Sequence, residues 1–194
     1  MVRPHIALST LVAYLIYMLV ISRVNIFIKS FVISIVLVGV YLSSGFIKDY
    51  VGLDDASISG VSDYVDYRQG LNQAGGSSFD LASLSYPMQM FTYIFRPLPF
   101  DAHNALSLFT SIENTILFFL FCFILYKSRF KSFFEGRNLW LFSYAFLSCT
   151  ILALTTANLG IATRQKWMFM PILIYLMIYG YYKFKYSKIK DADV

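Results

Sequence analysis

Charge is scarce in this sequence. Asp, Glu, Lys and Arg make up 14% of its 194 residues, against about 25% in an average soluble domain. Too few charges are present to cover a water-facing surface. Disorder is excluded as well, because it needs low hydrophobicity and high charge. Cysteine is rarer still. Cys122 and Cys149 both lie inside apolar runs, cannot make a disulfide framework, and read as small hydrophobes. The sequence has no Gly-rich phosphate loop, no His/Cys/Asp cluster with metal-ligand spacing and no Gly-x-Ser-x-Gly elbow. No metal and no cofactor is therefore expected. Matched halves with short, Gly/Pro-broken helices, the mark of a transporter repeat, are missing too.

What fills the chain is apolar. Hydrophobic residues reach 58% and aromatics 19%, and the mean hydropathy is +0.61. These values predict an all-α integral membrane protein, since only helices or closed barrels satisfy every backbone group in lipid. The runs are too continuously apolar for barrel strands, which alternate. A spanning helix needs roughly 20 mostly apolar residues. Such runs occupy residues 4–22, 30–47, 105–126, 138–163 and 167–182, the third interrupted by Glu113. About five transmembrane helices follow: two within residues 1–47, and three within 105–194 ahead of a basic tail.

Residues 48–104 form the one long connection, read as an extracytoplasmic loop. Asp49, Asp54, Asp55, Asp63, Asp66 and Asp80 make it acidic. Residues 58–71 suit a short helix, and Gly75-Gly76-Ser77-Ser78 a turn. Residues 81–95 are uncharged but too short and polar to span, which suits a segment lying in the interface. Asp101 reads as the N-cap of the third span.

The net charge is +5. Its bases sit beside the apolar runs, the pattern that orients membrane proteins rather than one that binds nucleic acid. Arg23 and Lys29, then Lys127, Arg129, Lys131 and Arg137, then Lys183, Lys185, Lys188 and Lys190 fall on one side of a five-span chain. That side is the cytoplasm, which leaves the N-terminus outside.

Few residues have chemistry to offer. Glu113 lies about 18 Å along its helix, at 1.5 Å per residue. A charge there costs at least about 2.5–3.5 kcal/mol unless paired or protonated. It reads as a proton-handling carboxylate, or as a structural contact to a neighbouring helix together with Asn114. In the segment Asn-Leu-Gly-Ile-Ala-Thr-Arg-Gln-Lys (158–166), Arg164 and Gln165 bring donors to the outer edge. Arg164 is expected to pair with Glu113, to grip a phosphate with two parallel bonds, or simply to snorkel to lipid. In Phe-Arg-Pro-Leu-Pro-Phe-Asp-Ala-His-Asn (95–104), a Pro-x-Pro corner holds Arg96. His103 there is a candidate general acid or base, or an incidental part of a structural elbow. Arg68, beside Asp63 and Asp66, is read as a surface ion pair ahead of a ligand contact.

Taken in order, these motifs resemble the C-terminal half of bacterial O-antigen-polymerase-like polytopic inner-membrane proteins from surface-polysaccharide gene clusters. They are the Gly-Gly-Ser-Ser-Phe loop end, the Arg96 to Asn104 corner, Glu113-Asn114 inside a span, and the Asn158 to Lys166 segment before a Pro-bearing last span. The resemblance covers about residues 31–182. Members of that group are longer, so the chain is expected to be a short member, a split partner or a remnant. The resemblance implies a multi-pass protein of the bacterial inner membrane, with an undecaprenyl-pyrophosphate-linked glycan and other polysaccharide-assembly proteins as partners. Arg96, Arg164 and Arg68, with Gln165 and Asn158, would bind the substrate, and Glu113 or His103 would move the proton of a polymerase-like or glycosyltransferase-like reaction. The alternatives are a non-enzymatic membrane subunit that scaffolds a glycosyltransferase or flippase, and a small transporter component.

Overall fold

A computed structural model describes residues 4–51, 57–72, 84–102, 104–128 and 130–192. Eight α-helices and no strands are found among them. They are α1 (Pro4–Val20), α2 (Ile26–Val51), α3 (Ile58–Asn72), α4 (Tyr86–Phe95), α5 (Ala105–Ser128), α6 (Asn138–Thr155), α7 (Leu159–Gln165) and α8 (Met170–Ala192). Single 3-10 turns cover Pro99–Asp101, Lys131–Phe134 and Lys166–Met168.

α6 is the hub, touched by α1, α3, α4, α7 and α8. Small residues on it let the neighbours come close. Ala145, Ser148, Cys149 and Ala153 are all buried, and Tyr93 of α4 and Phe169 pack into the same cluster. α3 docks through buried Gln69, whose Nε2 donates to the Leu154 carbonyl at 2.8 Å. That carbonyl lies in the last turn of α6, where no intrahelical donor remains.

The bundle has two distinct ends. At one end lie the α4–α5 corner, α7 and the start of α8. At the other, Lys127 of α5 stands 5.7 Å from the ring of Phe184 in α8, and Lys183 pairs with Glu135. α8 therefore runs beside the second part of α5, from just past Lys166, which meets Asn114, to Phe184 beside Lys127. α1 runs along α6. Ile6 packs at the cluster around Cys149 and Leu152, and Tyr14 meets Trp140 edge-on, with ring centroids 6.1 Å apart.

Two helices, Ala105–Lys127 and Asn138–Thr155, are long and apolar enough to cross a membrane. Five spans are not supported by length and composition. The apolar stretches Ile6–Val20 and Ile26–Leu42 are shorter, and α8 picks up lysines from Lys183 onward. The apolar run 138–163 also does not continue as one helix. α6 ends at Thr155, Thr156 is extended, and Asn158 starts a new helix. α2 has its main contact with α1, and Phe27, Phe31, Leu37, Tyr41 and Leu42 along it are exposed.

Candidate functional site

The site is built around the corner between α4 and α5. Pro97 and Pro99 cannot continue a helix, and the Arg96–Pro97 peptide is cis. Arg96 folds back onto Asp101. Its Nε donates to Oδ2 at 2.9 Å, and Nη2 completes the fork on Oδ1. The Leu98 N–H also donates to Asp101 Oδ2, at 2.8 Å. Burial raises the Asp101 pKa, but the hydrogen bonds from Arg96 and Leu98 and the guanidinium charge outweigh it and hold the carboxyl below its usual range. Asp101 thus closes the corner and does not cap α5 as expected. Asn104 caps it, its Oδ1 accepting from the Ser107 N–H at 2.7 Å.

Inside the corner lies a buried polar relay. Asn114, fully buried on α5, donates from Nδ2 to the Pro97 carbonyl at 3.1 Å. Its Oδ1 accepts from the ammonium of Lys166, which is itself 0% exposed. Burial lowers the Lys166 pKa, and the nearby charge of Glu113 pulls it back up. Glu113 is half-buried. The cation near it is therefore Lys166, and among the described residues no ion pair joins Glu113 to Arg164.

The Asn158–Lys166 segment divides its side chains among three tasks. Asn158 Oδ1 accepts from Gly160 N at 2.9 Å and Ile161 N at 3.3 Å, capping α7. Gln165 Oε1 accepts from Thr156 Oγ1 at 3.0 Å and from Tyr93 OH at 3.5 Å, tying α4 to the end of α6. Arg164 is exposed. It lines a cavity of about 400 Å³ together with Asp101, Asn104, Ser107, Thr110 and Thr163. That volume suits a small-ligand site.

Of the three arginines expected to converge, only Arg164 lines this cavity. Arg96 stands behind it on Asp101. Arg68 is on α3, and its Nε is buried without a hydrogen-bond partner among the described residues. The ion pair expected between Arg68 and Asp63 or Asp66 is not found among those residues either. Asn158 and Gln165 hold the frame instead of lining the cavity. His103 lies outside the described residues. Lys166 carries no role in the sequence reading, where it only closes the 158–166 segment. The signal was there in its spacing, because residues two apart on a helix face different ways. Arg164 and Lys166 cannot both point outward.

No family model matches the chain, and no curated protein or solved structure matches it either.

Proposed function

We propose that the chain is an integral membrane protein of bacterial cell-envelope polysaccharide assembly. In this reading it is a polymerase-like or glycosyltransferase-like component acting on a lipid-linked glycan. One observation carries the reading: a cavity of small-ligand size, mostly apolar with Arg164 and a few polar side chains on its lining, at the mouth of a helix apolar enough to span. A headgroup held there would keep its lipid tail along the apolar face of α5, where Leu106, Phe109 and Ile116 are exposed. Glu113 and Lys166, within electrostatic reach of each other, supply a carboxylate and an amine for moving a proton.

The reading places five spans in the membrane. Its support is the course of α1, which runs along α6, and of α8, which runs beside α5 from Asn114 to Lys127. The exposed faces of α2 and α5 suit lipid, because water-soluble monomers rarely expose so much contiguous apolar surface. The bases Lys127, Lys131, Arg137 and Lys183 sit at the end away from the cavity, so that end is cytoplasmic and the cavity opens outward.

The test is complementation. The gene is deleted in its host, and wild type, Arg164→Ala and Glu113→Gln are expressed at matched membrane levels. Surface polysaccharide is then resolved on a gel. The expected outcome is that wild type restores long chains and both variants fail. Normal polysaccharide without the gene refutes the reading. The scaffold alternative draws on the exposed face of α2. It predicts the reverse pattern, with both charge variants active and bulky polar substitutions on α2 inactive.

A further inference from the structure

We infer that Lys166 is a positioning residue for the Arg164 cavity: through its bond to Asn114 it sets how far the wall that carries Arg164 stands from α5. The inference rests on reading that cavity as a binding site.

The cavity has two walls. One is made by the corner and the start of α5, with Pro97, Ser107 and Thr110 on it, and the other by α7, with Thr163 and Arg164. α7 packs mainly on α4 and α6. Gln165 ties it to Tyr93 and Thr156 on that side. Toward α5 the link is Lys166. Its ammonium donates to Asn114 Oδ1 on α5. Asn114 Nδ2 donates onward to the Pro97 carbonyl at 3.1 Å. This chain of bonds starts two residues past Arg164 and ends on the other wall.

Lys166 and Asn114 are both 0% exposed. Neither touches a ligand in the cavity, so their effect on one runs through the walls. Lysine suits the task. Its four-carbon stem lets an amine reach a neighbouring helix, and a charged donor makes a bond roughly twice as strong as a neutral pair. The nearby charge of Glu113 favours the charged form of that amine. The competing account is that packing of α4 and α8 on α5 fixes the spacing, and Lys166 only satisfies buried polar atoms.

The experiment reads wall spacing in the full chain, in detergent and without ligand, by double electron–electron resonance. Cys122 and Cys149 are replaced by Ala. Spin labels are placed at Leu106 and Arg164, exposed positions on the two walls. A second pair at Tyr126 and Tyr182, exposed on α5 and α8 at the far end, reports on the bundle as a whole.

Lys166→Met is expected to broaden the Leu106–Arg164 distance distribution about twofold, as a local loosening does, and to leave the far pair unmoved. Asn114→Asp keeps an acceptor for the ammonium and is expected to keep the original spacing. Lys166→Met combined with Asn114→Leu removes both partners and so avoids an unsatisfied buried group. It is expected to recover the unfolding midpoint but not the spacing, and it carries the test if Lys166→Met alone fails to fold. A distribution that Lys166→Met leaves unmoved, one that the double variant restores, one that Asn114→Asp disturbs as much as Lys166→Met, or an equal change in the far pair overturns the inference. Its failure is separable from that of the polysaccharide reading. The distances are read without substrate and the deletion phenotype without labels, so a Lys166-dependent spacing in a protein whose deletion leaves polysaccharide normal would keep only the inference intact.

Discussion

Lys166 is the residue whose placement has the most consequence. A buried ammonium is costly, and this one keeps Asn114 Oδ1 and the field of Glu113 as its compensation. Lys166→Met would remove the cation but leave the buried Asn114 oxygen without that donor. The expected loss is about 1–3 kcal/mol, the usual cost of an unsatisfied buried polar group, read as a lower midpoint in thermal unfolding of the detergent-solubilised protein. The pH dependence has a definite sign. Folding lowers the Lys166 pKa below its unfolded value of about 10.4. Between the two values the unfolded chain holds more protons, so stability rises with pH. The stability of wild type relative to Lys166→Met should therefore increase as pH is raised from neutral toward that value, and a gap that narrows would refute the buried-ammonium account. Asp101 has the opposite arrangement. Its folded pKa is lowered, so its contribution is present above about 3.9 and fades as pH falls through the folded value. Asp101→Asn should cost about 1–3 kcal/mol at neutral pH by weakening the charged fork to Arg96. It should also abolish that acid-side dependence, both read from unfolding midpoints between pH 3 and 7.

At the scale of elements, the long helices were legible and the joints were not. α5 occupies the apolar run that begins at Ala105, and α3 occupies the stretch that suits a short helix. Hydropathy finds such elements because burial and lipid both select against charge. It says nothing about where a backbone turns inside an uncharged run. The break after Thr155 is made by Asn158, whose side chain satisfies two N–H groups that the first turn of α7 leaves open. The switch from Asp101 to Asn104 as the cap of α5 has the same origin. An Asp with an arginine five residues away on a proline corner has a better partner than a helix N–H. Asn158→Ala should cost about 1 kcal/mol, the typical worth of a cap. Gly160→Ala is a milder probe of the same turn, because the added Cβ would meet Asn158 Oδ1 at 3.2 Å. Both changes should shift the unfolding midpoint less than Lys166→Met. Both should also weaken ligand binding, because Gly160 and Arg164 line the cavity. A binding defect in Lys166→Met with none in either α7 variant would argue that the cavity does not depend on this cap.

For the whole molecule the open quantity is the number of crossings, and the packing bears on it more directly than composition. If only α5 and α6 crossed, residues before α5 and after α6 would share one side, and α8 with its lysines would lie on that side too. Yet α8 descends beside α5 until Phe184 meets Lys127 at the end opposite the cavity. Under the five-span proposal α8 crosses beside the second part of α5, and its tyrosines and lysines suit the far interface. Single-cysteine labelling separates the two cases. With Cys122 and Cys149 replaced by Ala, one cysteine is introduced at Ser57, ahead of α3, or at Ser187, in the exposed last part of α8. A membrane-impermeant maleimide is applied to intact and to permeabilised cells stripped of their outer barrier. Five spans predict that Ser57→Cys labels in intact cells and Ser187→Cys only after permeabilisation. Two spans predict that both label alike. The second pattern would put the lysine-rich end of α8 and the α3 segment in one compartment. It would then require α8 to leave α5, and the contacts from Lys166–Asn114 at one end to Lys183–Glu135 at the other would have to break.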